Sequence, residues 1–292
     1  STLMRSSAAS DVYKRQGACL SVVSQTKADN MFQITPSASA AKVIANDNCF
    51  QVCFTDPNQG TASADYIASK GLATKVAVIY NSSDAYSSGI YDNFKAEAAA
   101  KGLDLVASEA FTGDSKQDFS SQLSKIKASG AELIFLPIYY QEASLILSQA
   151  KNAGITAKFF GCDGLDGLLN IENFDKSLAE NVMLLTPFAA NATDETTKKF
   201  VAAYNAKYDP STLNQFAADA YDAVYIVKAA AEKAGITGDM SVSDICNALK
   251  GAMTEITVDG VTGSGMTWKA TGEVNKEPKA VKIENGEYQP MD

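Results

Sequence analysis

An α/β protein of two interleaved lobes, each a doubly wound sheet, is what this sequence predicts, and three observations predict it. Short apolar runs alternate with helical patterns of roughly 10–15 residues, the rhythm of βαβ units on a parallel sheet. The 292 residues are about two domains' worth of chain. No low-complexity linker separates the two halves, so the lobes are expected to exchange segments rather than follow one another like beads.

The elements follow in order. Met31–Ile34 (MFQI) reads as a strand, and Cys49–Cys53 as a strand-like stretch. From Asp56 onward the rhythm is regular. Lys75–Tyr80 (KVAVIY) is a buried strand, Ile90–Lys101 a helix ending at Gly102, and Asp104–Ala110 a strand. Ser115 and Asp118 form a capping-box pattern ahead of Phe119, Leu123 and Ile126, a helical spacing that Gly130 terminates. Glu132–Ile138 (ELIFLPI) and Lys158–Gly161 (KFFG) are strands around a helix over Gln141–Asn152, and Val182–Leu185 is another strand. Helical patterns then dominate: Thr193–Lys207, Leu213–Gly235 and Ser241–Leu249, the last opening on a Ser241–Asp244 pair. Gly265–Lys269 and Ala280–Ile283 read as closing strands, and Asn285-Gly286 as a hairpin turn.

Composition narrows the function. Hydrophobic residues make up 46% and charged residues 20%, values of an ordinary globular chain. A net charge of −9 with no dense basic run argues against a nucleic-acid partner. There is no histidine, which removes Ser–His and Cys–His nucleophile pairs and every His-ligated zinc scheme. No phosphate loop, dinucleotide fingerprint, nucleophile elbow or metal-spaced cysteine cluster occurs, so neither enzyme chemistry nor a metal or other cofactor is expected. The five cysteines are Cys19, Cys49, Cys53, Cys162 and Cys246, an odd number that cannot close a disulfide framework, and they read as buried small hydrophobes. Ser1–Gln16 carries Arg5, Lys14 and Arg15 without the apolar run of a signal peptide, so a signal segment is expected to lie outside this chain.

Two loops have the chemistry of a binding site. Thr35-Pro-Ser-Ala-Ser39 follows an apolar strand, and its compact hydroxyl residues can leave backbone N–H groups free for a carboxylate. The competing reading makes Ser39 a helix N-cap. Tyr139 follows ELIFLPI and Asp163 follows KFFG, both at strand C-terminal ends, where ligands sit in open parallel sheets. Asp163 can receive an ammonium group there, or Asp163-Gly164 can be a simple turn. Asp222, inside AADAYDAVY, reads as a solvated or capping helix residue.

Seven motifs stand in order along the chain: ITPSAS (34–39), FQVCFTDPNQG (50–60), KVAVIYNSSDAYSSG (75–89), DFSSQLSKIK (118–127), ELIFLPIYYQEASLIL (132–147), FFGCDGLDG (159–167) and GVTGSGMTWKATGE (260–273). Together they closely resemble the leucine/isoleucine/valine-binding protein family of branched-chain amino acid ABC transporters, over about Gly17–Tyr288. The resemblance implies a type I periplasmic-binding-protein fold with a ligand enclosed between two lobes joined by three crossovers. On that pattern residues 17–55 and 189–277 form lobe 1, and 56–188 with 278–292 form lobe 2. It also implies a monomer that delivers an apolar amino acid to a membrane permease from outside the cytoplasm, either in the periplasm or as a lipid-anchored protein. Binders of amides, urea or aromatic acids, and ligand-sensing receptor ectodomains, are the rivals on the same fold.

Carried over by position, the family pattern places the ligand's α-ammonium against the Ser37 carbonyl, the Ser39 hydroxyl and the Asp163 carboxylate. Its α-carboxylate would meet the Ser39 N–H within Ser37-Ala38-Ser39, Tyr86 and Tyr139 would close over it, and Phe216 would line the side-chain pocket. Two departures stand out. Asp163 replaces a frequent Glu, and Gln16 stands where the family has a carboxylate-binding serine. Residues 1–16 resemble nothing in the family, whose first βα units are expected to be missing from lobe 1. On these grounds residues 1–16 are expected to pack poorly and the chain as written to bind weakly.

Overall fold

The computed structural model describes residues 3–276 and 278–291, with side chains from Gln16 onward. Its contacts divide the chain into two compact units, Ser1–Thr55 with Phe216–Glu277, and Asp56–Gln215 with Pro278–Asp292. The elements in chain order are helix α1 (Leu3–Ala28), strands β1 (Gln33–Thr35) and β2 (Cys49–Gln51), helix α2 (Asp56–Ser69), β3 (Lys75–Asn81), α3 (Ala85–Ala100), β4 (Asp104–Phe111), α4 (Ser120–Ser129), β5 (Leu133–Leu136), α5 (Tyr140–Asn152) and β6 (Lys158–Gly161). They continue with β7 (Met183–Thr186), α6 (Glu195–Asn205), α7 (Gln215–Ala234), α8 (Val242–Met253), β8 (Thr267–Trp268), β9 (Val274–Asn275), β10 (Lys279–Glu284) and β11 (Glu287–Pro290). Among the described residues no helix is long and apolar enough to cross a membrane.

The second unit is built on a seven-stranded sheet ordered β11-β10-β7-β6-β5-β3-β4. Strands β4, β3, β5, β6 and β7 run parallel, while β10 and β11 close the edge antiparallel. Its inner strands read as unbroken apolar runs because helices cover both faces. Along β3 the side chains alternate: Ala77 and Ile79 join Leu123, Ile126 and Ile146 of α4 and α5. Val76 and Val78 join Ile67, Ile90 and Phe94 of α2 and α3. The β10–β11 hairpin turns through Asn285 and Gly286, whose φ angles of 54° and 78° are the left-handed pair that an Asn-Gly turn supplies.

The first unit carries a parallel β1–β2 pair and an antiparallel β8–β9 pair. Its core joins Phe50 and Val52 to Ile226 of α7, Met253 of α8, Met266 and Trp268. The Trp268 indole N–H, buried with its ring, donates to the Gln51 carbonyl at 2.7 Å. Ala38, Ala40 and Val43 form a small separate cluster with Cys19 and Leu20 of α1.

Several local expectations are corrected. Helix α3 begins before Ile90, because Asp84 caps it by accepting the Ser87 N–H at 2.9 Å. Ser115 does not open α4. Its hydroxyl turns back to the Thr112 N–H at 3.0 Å, and Asp118 instead accepts the Ser120 N–H at 2.9 Å. Ser39 is not an N-cap, since the short 3-10 turn Ala41–Ile44 starts after Ala40 without a side-chain cap. The segment 189–215, expected in lobe 1, packs with the second unit. Phe200 of α6 meets Phe188 edge-on at 5.8 Å, and Asn191 donates to Gln289 of β11 at 3.3 Å.

Asp222 is also misread by the sequence pattern. It is 1% exposed and accepts from the Val261 and Thr262 N–H groups, both at 2.8 Å, and from the Thr262 hydroxyl at 2.6 Å. Lys276 lies beside it, donating to Thr262 at 2.6 Å and to the Val52 carbonyl at 3.0 Å, with Asp219 3.7 Å away. Burial alone would push this ammonium toward neutrality, and the two carboxylates oppose that shift. Helix α1 runs from Leu3 through the N-terminal segment, and Gln16 is buried at 7% exposure, while the packing expected of residues 1–15 lies outside the described residues.

Candidate functional site

The predicted site residues fall into two sets, one in each unit. In the second unit the set forms where β3, β5 and β6 end. Asp163 follows β6 directly and is 5% exposed, and Tyr86, in the first turn of α3 after β3, is 2% exposed. The Tyr86 hydroxyl donates to Asp163 Oδ1 at 2.6 Å and accepts the Gly164 N–H at 2.8 Å. Tyr139, which caps the start of α5 after β5, stacks on Tyr86 with ring centroids 4.7 Å apart and planes 18° apart. Burial and the neighbouring Asp163 charge push the Tyr86 hydroxyl well above its ordinary pKa, so it remains a donor.

The backbone of Asp163 is held as firmly as its side chain. Gln59 Oε1 accepts its N–H at 3.2 Å, and Gln215 Nε2 donates to its carbonyl at 2.9 Å. Gln215 is itself fixed: Thr186 donates to its Oε1 at 3.0 Å, and its N–H donates to Asp166 Oδ2 at 2.7 Å. Asp166, 4% exposed, has its pKa pushed up to about 6 by burial against the pull of the Gln215 N–H. Gly164 is required here, because a Cβ at that position would lie 2.6 Å from the Tyr86 hydroxyl and 2.7 Å from the Ile138 carbonyl. The simple-turn reading of Asp163-Gly164 therefore understates it: this turn positions a buried carboxylate on a tyrosine platform.

In the first unit the Thr35–Ser39 loop follows β1. Thr35 Oγ1 accepts the Ala38 N–H at 2.9 Å, and Gln51 Nε2 donates to the Ala38 carbonyl at 3.0 Å. Those two bonds fix the loop so that successive N–H groups of Ser39 and Ala40 point the same way. Both donate to Gln16 Oε1, at 3.2 and 3.1 Å, and the Ser39 hydroxyl donates to the same oxygen at 3.2 Å. Ser37 and Phe216 share a wall of an open, mainly apolar cavity of about 720 Å³ that also touches Val22, Phe32, Ile34 and Pro36.

The structure thus gathers Tyr86, Tyr139 and Asp163 into one cluster and Ser37, Ala38, Ser39 and Phe216 into a neighbourhood of the other unit. Sequence reasoning missed Gln59, Gln215, Thr186 and Gly164. Gly164 had a usable signal, a glycine directly after a strand-end acid. The two glutamines had none, being polar residues at the start of helical patterns. Cys49, Cys53, Cys162 and Cys246 are buried and Cys19 is half-buried, and among the described residues none of them forms a disulfide.

One α/β unit thus holds a buried carboxylate at strand C-termini, and the other a loop of convergent N–H donors. The sequence profile of the periplasmic binding protein family matches residues 15–287. The chain belongs to that family. A Leu/Ile/Val-binding protein homolog of Brucella melitensis is 33% identical over 221 residues, covering 74% of this chain and 58% of its own. A Leu/Ile/Val-binding protein of Rhizobium johnstonii is 30% identical over 255 residues, covering 86% of this chain and 67% of its own. Among solved structures, the branched-chain amino acid transporter substrate binding protein LivJ of Streptococcus pneumoniae, in complex with isoleucine, is 28% identical. It superposes with a TM-score of 0.81, covering 94% of this chain and 75% of that one. The fold of this family member is therefore the type I periplasmic-binding-protein fold. The chain spans about three fifths of the length of the first two curated relatives it matches.

Proposed function

We propose that the chain is the extracytoplasmic solute-binding component of an ABC importer and holds a branched-chain or other apolar L-amino acid. Asp163 receives the α-ammonium, and the Ser39 N–H within the Ser37–Ser39 loop receives the α-carboxylate. The Ser37 carbonyl and Ser39 hydroxyl assist at the ammonium end, Tyr86 and Tyr139 cover the ligand, and Phe216 lines the side-chain pocket. The ligand bridges the two units and favours a closed form by differential contacts, so binding proceeds through hinge closure. The closed form is then the one presented to a membrane permease. No bond is made or broken in this scheme.

The observation that carries the reading is the buried Asp163 carboxylate, clamped through side chain and backbone by Tyr86, Gln59 and Gln215 at the end of a parallel strand. Such a group has its orientation fixed before ligand arrives, which lowers the ordering cost of binding. The α-ammonium of a zwitterion pairs with such a carboxylate, and pairing offsets the desolvation of both charges. Isothermal calorimetry with L-leucine, L-isoleucine and L-valine against L-glutamate, L-lysine and glucose tests the reading. The apolar amino acids are expected to bind at least 100-fold more tightly than the charged ones, about 2.7 kcal/mol. A preference for glutamate, lysine or glucose would overturn it.

A further inference from the structure

The Gln16 side chain does something that neither helix packing nor the clamp requires. Its Oε1 takes three donors at once, the Ser39 N–H at 3.2 Å, the Ser39 hydroxyl at 3.2 Å and the Ala40 N–H at 3.1 Å. A carboxamide oxygen has two lone pairs and no net charge, so three converging donors exceed what it satisfies well. A carboxylate oxygen, with its charge, matches such a set better, and successive backbone N–H groups aimed at one point form an anion-binding nest. All participants are buried: Gln16 is 7%, Ser39 2% and Ala40 8% exposed. The nest is also held in shape without Gln16, because Thr35 and Gln51 fix the loop through Ala38.

We propose that Gln16 is a tethered stand-in for the ligand's carboxylate: its carboxamide oxygen occupies the anion seat of Ser39 and Ala40, and a carboxylate ligand must displace it to bind. The proposal rests on the reading of that loop as the carboxylate end of the site, and adds a built-in competitor to it. The competitor is carried on α1, whose next packed residues, Cys19 and Leu20, meet the same loop at Ala38, Ala40 and Val43. Helix α1 therefore keeps the carboxamide at high effective concentration over the seat. If the seat is self-occupied more than nine tenths of the time, apparent ligand affinity falls at least tenfold, in proportion to the open fraction. A purely structural cap makes the opposite prediction, since its loss would loosen the loop and weaken binding.

The test uses the full chain, ¹⁵N-labelled, as wild type, Gln16→Ala and Gln16→Glu. Sodium acetate is the probe, a carboxylate with neither ammonium nor apolar side chain, with sodium chloride as the ionic control. The Ser39 and Ala40 amide resonances are followed during titration. In Gln16→Ala their acetate midpoint is expected to fall at least tenfold below that of wild type. In Gln16→Glu a fixed charge fills the seat, and the midpoint is expected to rise above that of wild type. An unchanged or higher midpoint in Gln16→Ala overturns the proposal. If Gln16→Ala does not fold, Gln16→Glu, which keeps an acceptor in place, decides alone, and a midpoint equal to or below that of wild type overturns it. Calorimetry with L-leucine on the same proteins separates the two readings. If Gln16→Ala takes acetate at Ser39 and Ala40 but not leucine, the stand-in remains and the amino-acid reading falls. If leucine binds wild type and Gln16→Ala equally, the amino-acid reading remains and the stand-in falls.

Discussion

The two units differ in how their apolar strands are covered. In the second unit every inner strand of the seven-stranded sheet has a strand on each side and helices over both faces. In the first, β1 pairs with β2 alone among the described residues, and β1 and α7 border the open cavity of about 720 Å³. Helix α7 leaves Tyr221, Val224 and Tyr225 exposed, and Val22 and Met31, which line the cavity, are exposed as well. The contrast teaches that an apolar run fixes a strand's existence but not its coverage. Stability should therefore concentrate in the second unit, while buried polar networks matter most in the first.

The largest expected effect tests that concentration. Phe94, fully buried and stacked on Phe135 at 4.0 Å, should cost about 3–5 kcal/mol when changed to Ala. Val224→Ser, on the exposed face of α7, should change stability by no more than about 0.5 kcal/mol. Urea unfolding of both variants measures the gap, and a cost for Val224→Ser comparable with that of Phe94→Ala would erase the contrast.

Next is the buried network of the first unit. Asp222→Ala strands three donors and removes one counter-charge from Lys276, and about 3 kcal/mol of destabilisation is expected. Amide hydrogen exchange should show the loss in α7 and around Thr262 while β3 and β5 keep their protection.

A pH dependence sharpens the comparison further. In the second unit burial raises Asp166 to about 6 and Glu142 to about 7, the latter with Lys116 3.9 Å away. Folded-state values above the ordinary carboxylate range mean that their stabilising contribution is complete at pH below about 4 and is lost as pH rises through 6 to 7. Asp47 of the first unit behaves oppositely. Hydrogen bonds from Lys250 and Lys27 hold it down at about 2, so its contribution is present above about pH 4 and lost as pH falls toward 2. Asp166→Asn should remove up to about 3 kcal/mol of the wild-type decline between pH 4 and pH 8, read from chemical denaturation at each pH. An unchanged slope would mean that Asp166 stays ionised without penalty.

A smaller loss of stability is expected at Gly164. A Cβ there must displace the Tyr86 hydroxyl or the Ile138 carbonyl, so Gly164→Ala should cost about 1–3 kcal/mol and disturb the Tyr86–Asp163 pair. A shifted tyrosine near-ultraviolet signal with a modest fall in Tm is the expected result.

Much of the second unit was legible because its physics is local. Continuous apolar runs such as LIFL and KFFG, and helices ended by glycines in left-handed conformations such as Gly130 at φ 71°, leave few alternatives. Asp163 was legible as a strand-end acid from its place after β6. What was not legible depended on distant partners. Asp222 looks like a surface helix residue until the loop from Gly260 to Thr262 folds against it. Ser115 fits a capping box, yet a nearer donor at Thr112 takes its hydroxyl. Gln16 looked foreign to the pattern, and only the folded loop shows three donors meeting on its oxygen.

The central claim is that the site grips both charged ends of an apolar amino acid, and calorimetric titration of wild type and Asp163→Ala tests it most directly. The ligands are L-leucine and 4-methylpentanoate, which is the same carboxylate and side chain without the ammonium group. The account predicts that leucine binds wild type more tightly than 4-methylpentanoate, and that Asp163→Ala weakens leucine at least about 30-fold while leaving 4-methylpentanoate nearly unchanged. Equal affinity for the two ligands in wild type, or undiminished leucine binding in Asp163→Ala, would contradict it.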